Sequence, residues 1–330
     1  MATVVLEDVL YGRAEIREPV LVELLGTLAL RRLAGVHQAG AVWLVRPERD
    51  VTRRQHSIGT LLLVRRLGAG VEEQAAALLH DAGHGAFSHV IDRVFDDASE
   101  TWHERDGIEL LMASEVPGVL GRHGLDPEHV LAPHAWPLLD RPAPALCADR
   151  IDYALRDAVA DGLIGVGEAH AFLDDLVVAG GDVIAVRSAD RAAWFADRFA
   201  LLVEHVFCDP LGIWADWVLA AAIRRALDVG VVDAAALLST DAELLARLRA
   251  GGDAEIHALL AQLRPGAEVR ATANGDEADV VVFPKARTVD PDVLLDGGPP
   301  VPASSLAPWI TVRAAALRER AATGIAVRRV

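Results

Sequence analysis

A histidine and an aspartate, His80 and Asp81, end a segment that is otherwise apolar and rich in alanine and leucine, residues 75–79. An imidazole buried beside a carboxylate is costly for a folded protein unless a cation compensates the pair. Neutral imidazoles and carboxylates together bind divalent metals such as zinc, iron, manganese and cobalt, and such sites keep positions open for water and substrate oxygens. The pair therefore predicts a helical core that is built around a metal site.

The residues that follow this pair carry more side chains of the same kind. Between His80 and His89, the glycines at positions 83 and 85 allow the backbone to turn tightly, and His84 and His89 project from that turn. Five of the twelve histidines of the chain lie between residues 56 and 103. A single histidine on a helix is more often structural than a ligand, so the cluster gains its meaning from the adjoining His-Asp pair.

Apolar residues at a helical spacing predict helix for most of residues 15–260. The best-defined start is a capping box, in which Thr52 is the N-cap and Gln55 the third helical residue. The glycines at positions 68 and 70 predict the end of this helix. The other expected helices cover residues 20–33, 72–80, 145–160 and 193–229, the last with an interruption at 209–212.

The pattern changes after about residue 263, where short strands are expected at residues 269–273 and 279–283. We therefore predict a mostly α fold whose main body is all-α. The predicted division is a helical core over residues 1–262, with its metal-binding part at about 50–160, and a small C-terminal α+β subdomain over residues 263–330.

Composition excludes several classes of function. A formal net charge of -16 argues against a partner that is a nucleic-acid polymer, although a small phosphorylated substrate can still bind a locally positive site. Lys285 is the only lysine, so the chain has no Gly-Lys-Ser/Thr phosphate loop, and Ser88 lacks the second glycine of a nucleophile elbow. The two cysteines form no paired motif and no apolar run is long enough for a membrane span, so we expect a cytoplasmic protein without disulfides.

The His80–His89 segment resembles the signature of the HD superfamily of metal-dependent phosphohydrolases. In its form H-D-x-G-H-G-x-F-S-H it resembles the HD proteins related to the dNTP triphosphohydrolases. Blocks with the same resemblance lie at residues 8–12, 32–40, 53–59, 102–104, 148–157 and 285–291. The resemblance implies an HD-domain helical bundle, hydrolysis of a phosphoester bond, and one or two divalent ions per site, with Mn, Fe, Mg, Zn, Co and Ni all compatible.

The resemblance also assigns roles to individual residues. It implies as metal ligands His56, His80, Asp81 and Asp149. It implies as catalytic residues around the reacting phosphate His84, His89, Asp92 and His103. It implies as substrate-binding residues Gln38, Arg53, Arg150, Tyr153, Arg156 and Asp157. For Arg156 an intrahelical salt bridge to Asp152 is an equal alternative, and the sequence does not decide which histidine is the general acid.

The resemblance fails at one later block. The dNTP triphosphohydrolases carry a Tyr-x-His motif and basic residues that hold the outer phosphates, whereas this chain has Phe207 for the tyrosine and Asp209 and Pro210 for the basic pair. A carboxylate is unfavourable beside a polyphosphate. We therefore expect hydrolysis at the 5′ phosphate of a nucleotide or deoxynucleotide, and leave the number of phosphates open. The alternatives are a 5′-nucleotidase or small-molecule phosphomonoesterase of HD type, and a catalytically silent HD binding module; a homo-oligomer is also compatible.

Overall fold

The computed structural model describes residues 3–95, 102–132, 135–272, 277–295 and 298–330, without the side chains of residues 102–105. Most of these residues are helical, as predicted. The helices of the first part are α1 (Pro19–Leu25), α2 (Leu28–Arg32), α3 (Val42–Val45), α4 (Arg53–Arg66), α5 (Val71–Leu79), α6 (Val90–Val94), α7 (Trp102–Met112), α8 (Val116–Arg122) and α9 (Pro127–Val130). Those of the second part are α10 (Ala148–Ala160), α11 (Val166–Leu173), α12 (Ala189–Leu202), α13 (Pro210–Asp228), α14 (Asp241–Ala250), α15 (Ala254–Leu260), α16 (Ala303–Leu306) and α17 (Trp309–Thr323).

Helix α4 begins where the capping box predicted. The Thr52 hydroxyl accepts a hydrogen bond from the Gln55 amide, and the Gln55 side chain accepts one from the Thr52 amide at 2.8 Å. The helix packs against α5 on one side and α10 on the other, so that its middle, including Leu61 and Leu63, is fully buried. This helix therefore forms the centre of the core, and His56 is its fourth residue.

The helix predicted over residues 20–33 is instead divided into α1 and α2. Thr27 has an extended ψ of 154°, and its hydroxyl accepts a hydrogen bond from the Leu30 amide, so it starts a new helix after Gly26. Apolar periodicity runs through the break because both helices bury residues in the same core, namely Leu24 in α1 and Leu30 in α2. A side-chain cap inside a periodic segment thus outweighs the continuous pattern.

The prediction of an all-α body is wrong, because the described residues also form three sheets. Antiparallel strands β1 (Val4–Asp8) and β2 (Gly12–Ile16) form a hairpin at the amino-terminal side. A four-stranded sheet has the order β3 (Leu176–Ala179), β4 (Val183–Val186), β7 (Asp292–Val293) and β8 (Val301–Pro302). A three-stranded sheet places β9 (Ile325–Arg329) between β5 (Val269–Ala271) and β6 (Val280–Val282), which are the two strands that the sequence predicted.

The division of the chain at residue 262 stays a prediction. Strand β7, from the proposed C-terminal subdomain, pairs in parallel with β4 of the helical part, with Val293 opposite Val186. Helix α17 packs against α12 and strand β5 against α13. The C-terminal residues are therefore attached to the helical part through both a shared sheet and helix packing.

The long helix predicted over residues 193–229 is interrupted as expected. A π-helical turn at Val203–Phe207 ends the α12 segment, and Asp209 caps the start of α13 by accepting a hydrogen bond from the Gly212 amide at 3.2 Å. No single helix in the described parts of the chain is both long and apolar enough to cross a membrane. Ala189–Phe207 and Pro210–Asp228, bent by 50° at their break, pass that test of length and composition only as a pair.

Candidate metal centre and substrate pocket

The four predicted metal ligands converge on one point from three segments. His56 comes from α4, His80 and Asp81 from the end of α5, and Asp149 from the first turn of α10. The two imidazole Nε2 atoms lie 3.2 Å apart, and Oδ1 of Asp149 lies 3.0 Å from Nε2 of His56. Oδ1 of Asp81 lies 3.5 Å from Nε2 of His80 and Oδ2 lies 3.7 Å from that of His56. The ligand role of these residues stays a proposal that the convergence supports.

This donor set fits a divalent metal. With metal–ligand bonds of about 2.1 Å, neighbouring donor atoms are about 3.0 Å apart in octahedral and about 3.4 Å apart in tetrahedral geometry, which is the separation found among these atoms. Each imidazole is also held through its other nitrogen, since Nδ1 of His56 lies 2.7 Å from Oδ2 of Asp152 and Nδ1 of His80 lies 2.7 Å from the Ala77 carbonyl oxygen. Contacts of this kind direct Nε2 to a metal.

Charge in the cluster is concentrated and buried. Burial favours a neutral His56 imidazole, but hydrogen bonds with Asp149 and Asp152 outweigh burial and raise the pKa of His56 to about 10. Burial also opposes ionisation of Asp81, yet the nearby Arg53 guanidinium and the His80 and His84 imidazoles hold the pKa of that carboxyl well below its usual range. The cluster thus keeps its carboxylates ionised and attracts positive charge, which a proton or a metal can supply.

The loop after Asp81 places two of the predicted catalytic histidines next to these ligands. Nε2 of His84 lies 3.3 Å from Oδ1 of Asp81, and the His84 and His89 rings meet edge to face with centroids 5.0 Å apart. Nδ1 of His89 lies 2.8 Å from Oδ2 of Asp92, as expected for a carboxylate that orients the imidazole. The side chain of His103, on α7, lies outside the described residues.

The same loop contains backbone strain and is fixed by contacts from a distant segment. Phe87 and Ser88 have φ angles of 60° and 51°, a left-handed conformation that is unfavourable for an aromatic residue. Asp241, on the first turn of α14, is almost fully buried and accepts hydrogen bonds from the Phe87 amide at 2.6 Å and the His37 amide at 2.9 Å. The Leu237 carbonyl accepts a third bond, from the Ala86 amide at 2.8 Å. Contacts from residues 237–241 therefore stabilise the strained turn.

A cavity of about 350 Å³ opens beside the metal ligands. Gln38, Tyr153 and Asp157 line it together with Arg53, His84 and His89. Nε2 of Gln38 donates a hydrogen bond to Oδ1 of Asp157 at 2.9 Å, while the buried Oε1 of Gln38 has no hydrogen-bond partner within the described structure. This unsatisfied acceptor indicates where a ligand hydroxyl or amine can bind.

Three predicted site residues do not line the cavity. Arg150 donates hydrogen bonds to the carbonyls of Arg141 and Ala145, so its side chain stabilises the turn before α10. Arg156 binds Asp152 through two hydrogen bonds of 2.9 Å and lies 3.0 Å from Asp8, and only 4% of its surface is exposed. Arg156 therefore forms the intrahelical salt bridge that was the alternative to a substrate role. Asp92 is the third residue outside the lining, and it contacts the site through His89.

Arg53 lines the cavity, but its guanidinium donates hydrogen bonds to Asp81 at 2.7 Å and to Ser88 at 2.8 Å.

Several residues outside the predicted site residues also belong to the site. Asp152 orients His56, whereas the sequence paired it by spacing only with Arg156, and Asp241 holds the histidine loop without any motif that indicates this partner. Arg49, Arg93 and Arg287 line the cavity together with Lys285. Lys285 and Arg287 belong to the block at residues 285–291 that resembles the HD family, and Lys285 is also the only lysine in the chain, whereas no such signal marks Arg49 or Arg93.

A second group of residues could in principle bind a cation. Oxygen and sulfur atoms of Asp140, Cys147 and Asp149 lie within 4.8 Å of one another, so Asp149 is shared with the first group. The Arg150 guanidinium already lies 3.2 Å from the Cys147 sulfur, and burial raises the pKa of this thiol to about 12. A neutral thiol beside a guanidinium is a poor metal ligand, so the group around His56 is the better candidate.

Comparison with known proteins identifies the family. A family model of the HD domain matches residues 53–156. The chain is 40% identical to the uncharacterized protein YdhJ of Bacillus subtilis over 292 residues, which are 88% of this chain and 89% of that protein. It is 32% identical to the metal-dependent phosphohydrolase cns2 of Cordyceps militaris over 320 residues, which are 94% of this chain and 91% of that protein. The chain belongs to the HD-domain metal-dependent phosphohydrolases.

Two further matches are more limited, one to part of the sequence and one to the fold. It is 31% identical to the human deoxynucleoside triphosphate triphosphohydrolase SAMHD1, over 147 residues that are 38% of this chain and 23% of that protein. Its fold is similar to that of a phosphohydrolase from Bacteroides thetaiotaomicron, with a TM-score of 0.68 and 16% identity over 99% of both chains. The match to the HD-domain model and the similarity to the full length of cns2 confirm the predicted class, a metal-dependent hydrolase of the HD type, and do not favour the alternative of a silent binding module.

Proposed function

We propose that this phosphohydrolase cleaves the phosphoester bond at the 5′ phosphate of a nucleotide. The observation that carries the proposal is the Gln38–Asp157 pair, which lies in the same cavity as the metal centre and presents a buried, unsatisfied Oε1. A sugar hydroxyl is the substrate group that such an acceptor and a neighbouring carboxylate can bind. Tyr153, four residues after Asp149 on α10, supplies an aromatic wall between this pair and the metal ligands.

The side chains around the metal centre have separate tasks in this reaction. A divalent cation bound by His56, His80, Asp81 and Asp149 would polarise a phosphoryl oxygen and lower the pKa of bound water. Arg53 holds Asp81 in position through its 2.7 Å hydrogen bond. His89 lines the cavity and is oriented by Asp92 through Nδ1, so it is suited to donate a proton to the leaving oxygen.

The cavity favours a substrate with few phosphates. Six carboxylates line it, and several basic side chains there face one of them, including Arg49 at 2.7 Å from Asp161, Arg53 at 2.7 Å from Asp81, and Arg93 at 3.9 Å from Asp216. A nucleoside monophosphate therefore matches the charge better than a triphosphate does. Asp209, which the sequence placed near the outer phosphates, is not part of the lining and instead caps α13 and contacts Arg46 at 3.2 Å.

The test is a product assay on the protein loaded in turn with Mn²⁺, Co²⁺ and Mg²⁺. Nucleoside 5′-monophosphates, deoxynucleoside triphosphates and a non-nucleotide phosphomonoester such as p-nitrophenyl phosphate are supplied separately, and the released phosphate species is identified. We expect orthophosphate from the monophosphates at a rate at least tenfold above that of p-nitrophenyl phosphate, on the order of what one positioned hydroxyl contact provides. If only p-nitrophenyl phosphate is hydrolysed, the substrate is a general phosphomonoester and the nucleotide proposal fails. If only the triphosphates are hydrolysed and they release tripolyphosphate, the preference for monophosphates is wrong.

A further inference from the structure

The loop between β6 and β7 contributes residues to the lining of the metal cavity. We call residues 284–287 the strap; Pro284, Lys285 and Arg287 line the cavity together with the metal ligands, although more than a hundred residues separate them from α10. The strap is anchored on both sides. Before it, β6 pairs with β9; after it, the Asp290 amide donates a hydrogen bond to the Pro144 carbonyl at 2.9 Å, and β7 pairs with β4.

The anchoring after the strap involves several contacts. The Asp290 carboxylate accepts hydrogen bonds from the Ser304 amide at 2.9 Å and the Ser304 hydroxyl at 2.6 Å. Thr288 and Val289, which follow the strap directly, are buried. The backbone that carries Lys285 and Arg287 is therefore fixed relative to the segment before α10, which places their charges at a defined side of the cavity.

Aromatic contacts relate Arg287 to the metal centre. Its guanidinium carbon lies 5.5 Å from the centroid of the Phe207 ring, which is the geometry of a cation–π contact. The Phe207 ring is 6.1 Å from the Tyr153 ring, which in turn is 6.4 Å from the His56 ring. Burial raises the pKa of Tyr153 to about 12, and the charge of Arg287 opposes this shift, as expected for a guanidinium close to the phenol. Arg287 thus lies on the side of the cavity that Tyr153 lines.

The strap supplies positive charge on the side of the cavity that Phe207 and Tyr153 line. The basic residues expected at the start of α13 are replaced by Asp209 and Pro210, while the guanidinium of Arg287 stacks on Phe207 in the same block. Resting on the proposed function, we propose that Lys285 and Arg287 bind the phosphate oxygens of the substrate that the metal does not hold, and that the strap takes the place of the missing basic pair. The group they recognise is a phosphate dianion, because two cations from one short segment match its charge and its several oxygens.

Kinetics of matched variants test this assignment. Lys285→Gln and Arg287→Gln are compared with Arg264→Gln, which removes an exposed arginine of the same C-terminal region that does not line the cavity. We expect each strap variant to raise KM for a nucleoside monophosphate about tenfold while kcat and the bound metal per chain stay within about twofold, since a charge-assisted hydrogen bond is lost from binding. Lys285→Arg should restore most of the affinity. An unchanged KM in both strap variants, or an equal rise in Arg264→Gln, would overturn the proposal.

The lone lysine allows a second test that does not require turnover. An amine-selective reagent can label only Lys285 and the α-amino group of this chain, so labelling of the two sites is followed separately by mass spectrometry of peptides. With Mn²⁺ present, saturating inorganic phosphate should slow labelling of Lys285 severalfold and leave the α-amino group unchanged. Equal labelling of Lys285 with and without phosphate would overturn the proposal.

The two tests separate failure of the strap from failure of the proposed function. If phosphate protects Lys285 while no nucleotide in the panel is hydrolysed, the nucleotide proposal fails and the phosphate-binding role of the strap stands. If nucleotides are hydrolysed and the strap variants show wild-type KM and unprotected Lys285, the strap proposal fails and the function stands.

Discussion

The candidate metal ligands depend on neighbouring side chains that hold them in position. Asp152 is fully buried beneath His56 and binds Nδ1 of that imidazole and the guanidinium of Arg156. Arg53 performs a similar task for Asp81. A residue that fixes the orientation of a ligand affects metal affinity almost as strongly as the ligand does. Asp152 is fully buried and Asp157 is half-buried, and substitution of each by asparagine tests its role.

Asp152→Asn should weaken binding of Mn²⁺ by roughly 10- to 100-fold, because the neutral amide holds His56 less firmly and makes it a weaker ligand. The measurement is a competition titration against a chelating dye. Asp174→Asn serves as the control, since Asp174 is an exposed partner of Arg66 with 71% of its side chain accessible. A dissociation constant that moves equally little in both variants would show that Asp152 has no part in metal binding.

Asp157 should make stability depend on pH. Burial raises the pKa of this carboxyl from 3.8 to about 6, against the opposing effect of the Gln38 hydrogen bond. The folded protein therefore binds the proton more tightly than the unfolded chain, so ionisation destabilises the fold above about pH 6, and this penalty disappears as the pH falls towards 3.8. At about pH 8, Asp157→Asn should be more stable than the wild type by a free energy of unfolding on the order of 2 kcal/mol. Its melting temperature should accordingly be higher. The difference should shrink on acidification; a constant difference in melting temperature would contradict the assigned pKa.

At the scale of elements, the site requires α4 and α10 to lie very close together. Gly59 of α4 faces the Asp152–Arg156 ion pair of α10, and a Cβ atom at this glycine would overlap both side chains. The glycine thus permits the approach that brings His56 next to Asp149. The capping box at Thr52 made the start of α4 predictable from the sequence, because both of its hydrogen bonds are local. The approach to α10 was not predictable, since its cause lies almost a hundred residues away.

Gly59→Ala should destabilise the fold by about 2 to 4 kcal/mol, because the added methyl group displaces a buried ion pair. Gly167→Ala is the matched control: Gly167 is within α11, and an added Cβ would meet nothing within 4 Å. That control should be neutral or stabilise by up to about 1 kcal/mol through better helix propensity. Chemical denaturation of both variants measures the difference, and similar values for the two would mean that α4 and α10 do not approach closely at Gly59.

Some elements carried signals that helical periodicity concealed. The β3–β4 hairpin consists of two apolar runs rich in β-branched residues, separated by Gly180, Gly181 and Asp182; both glycines have positive φ, which is a recognisable hairpin pattern. Strands β1 and β2 are harder to recognise, since each has only five residues and only one of them, Leu6 in β1 and Ile16 in β2, is buried. The break at Thr27 was missed because its only signal is one capping side chain, whereas the apolar periodicity of residues 20–33 indicates a continuous helix.

At the scale of the whole molecule, the cavity is assembled from distant parts of the chain. Gln38, the histidine loop, α10, Phe207 and the strap meet around one space. Local motifs predicted the candidate metal ligands because all four lie in three short blocks that resemble the HD family. The strap also lies in such a block, but its position beside the cavity, like that of Asp241, depends on contacts across more than a hundred residues that the sequence does not reveal. A ligand that binds only this assembled site stabilises the entire fold.

Metal should therefore raise the melting temperature of the protein. At a free Mn²⁺ concentration a hundredfold above the dissociation constant, the stabilisation is about 2.7 kcal/mol, or an increase of about 5 °C. Differential scanning fluorimetry with Mn²⁺ and with a chelator measures the shift, and His80→Ala should show none. A chelator that leaves the wild-type melting temperature unchanged would contradict a metal in the cluster around His56.

The position of β9 has a consequence for the order in which the protein becomes functional during synthesis. This strand lies between β5 and β6 although it follows both in the chain, so neither can pair before β9 has left the ribosome. All four candidate metal ligands precede β5, whereas the strap depends on β6 for its anchoring on one side. A growing chain would consequently contain all four candidate metal ligands before the strap gains its anchor at β6, so the metal centre can form earlier in synthesis than the complete cavity.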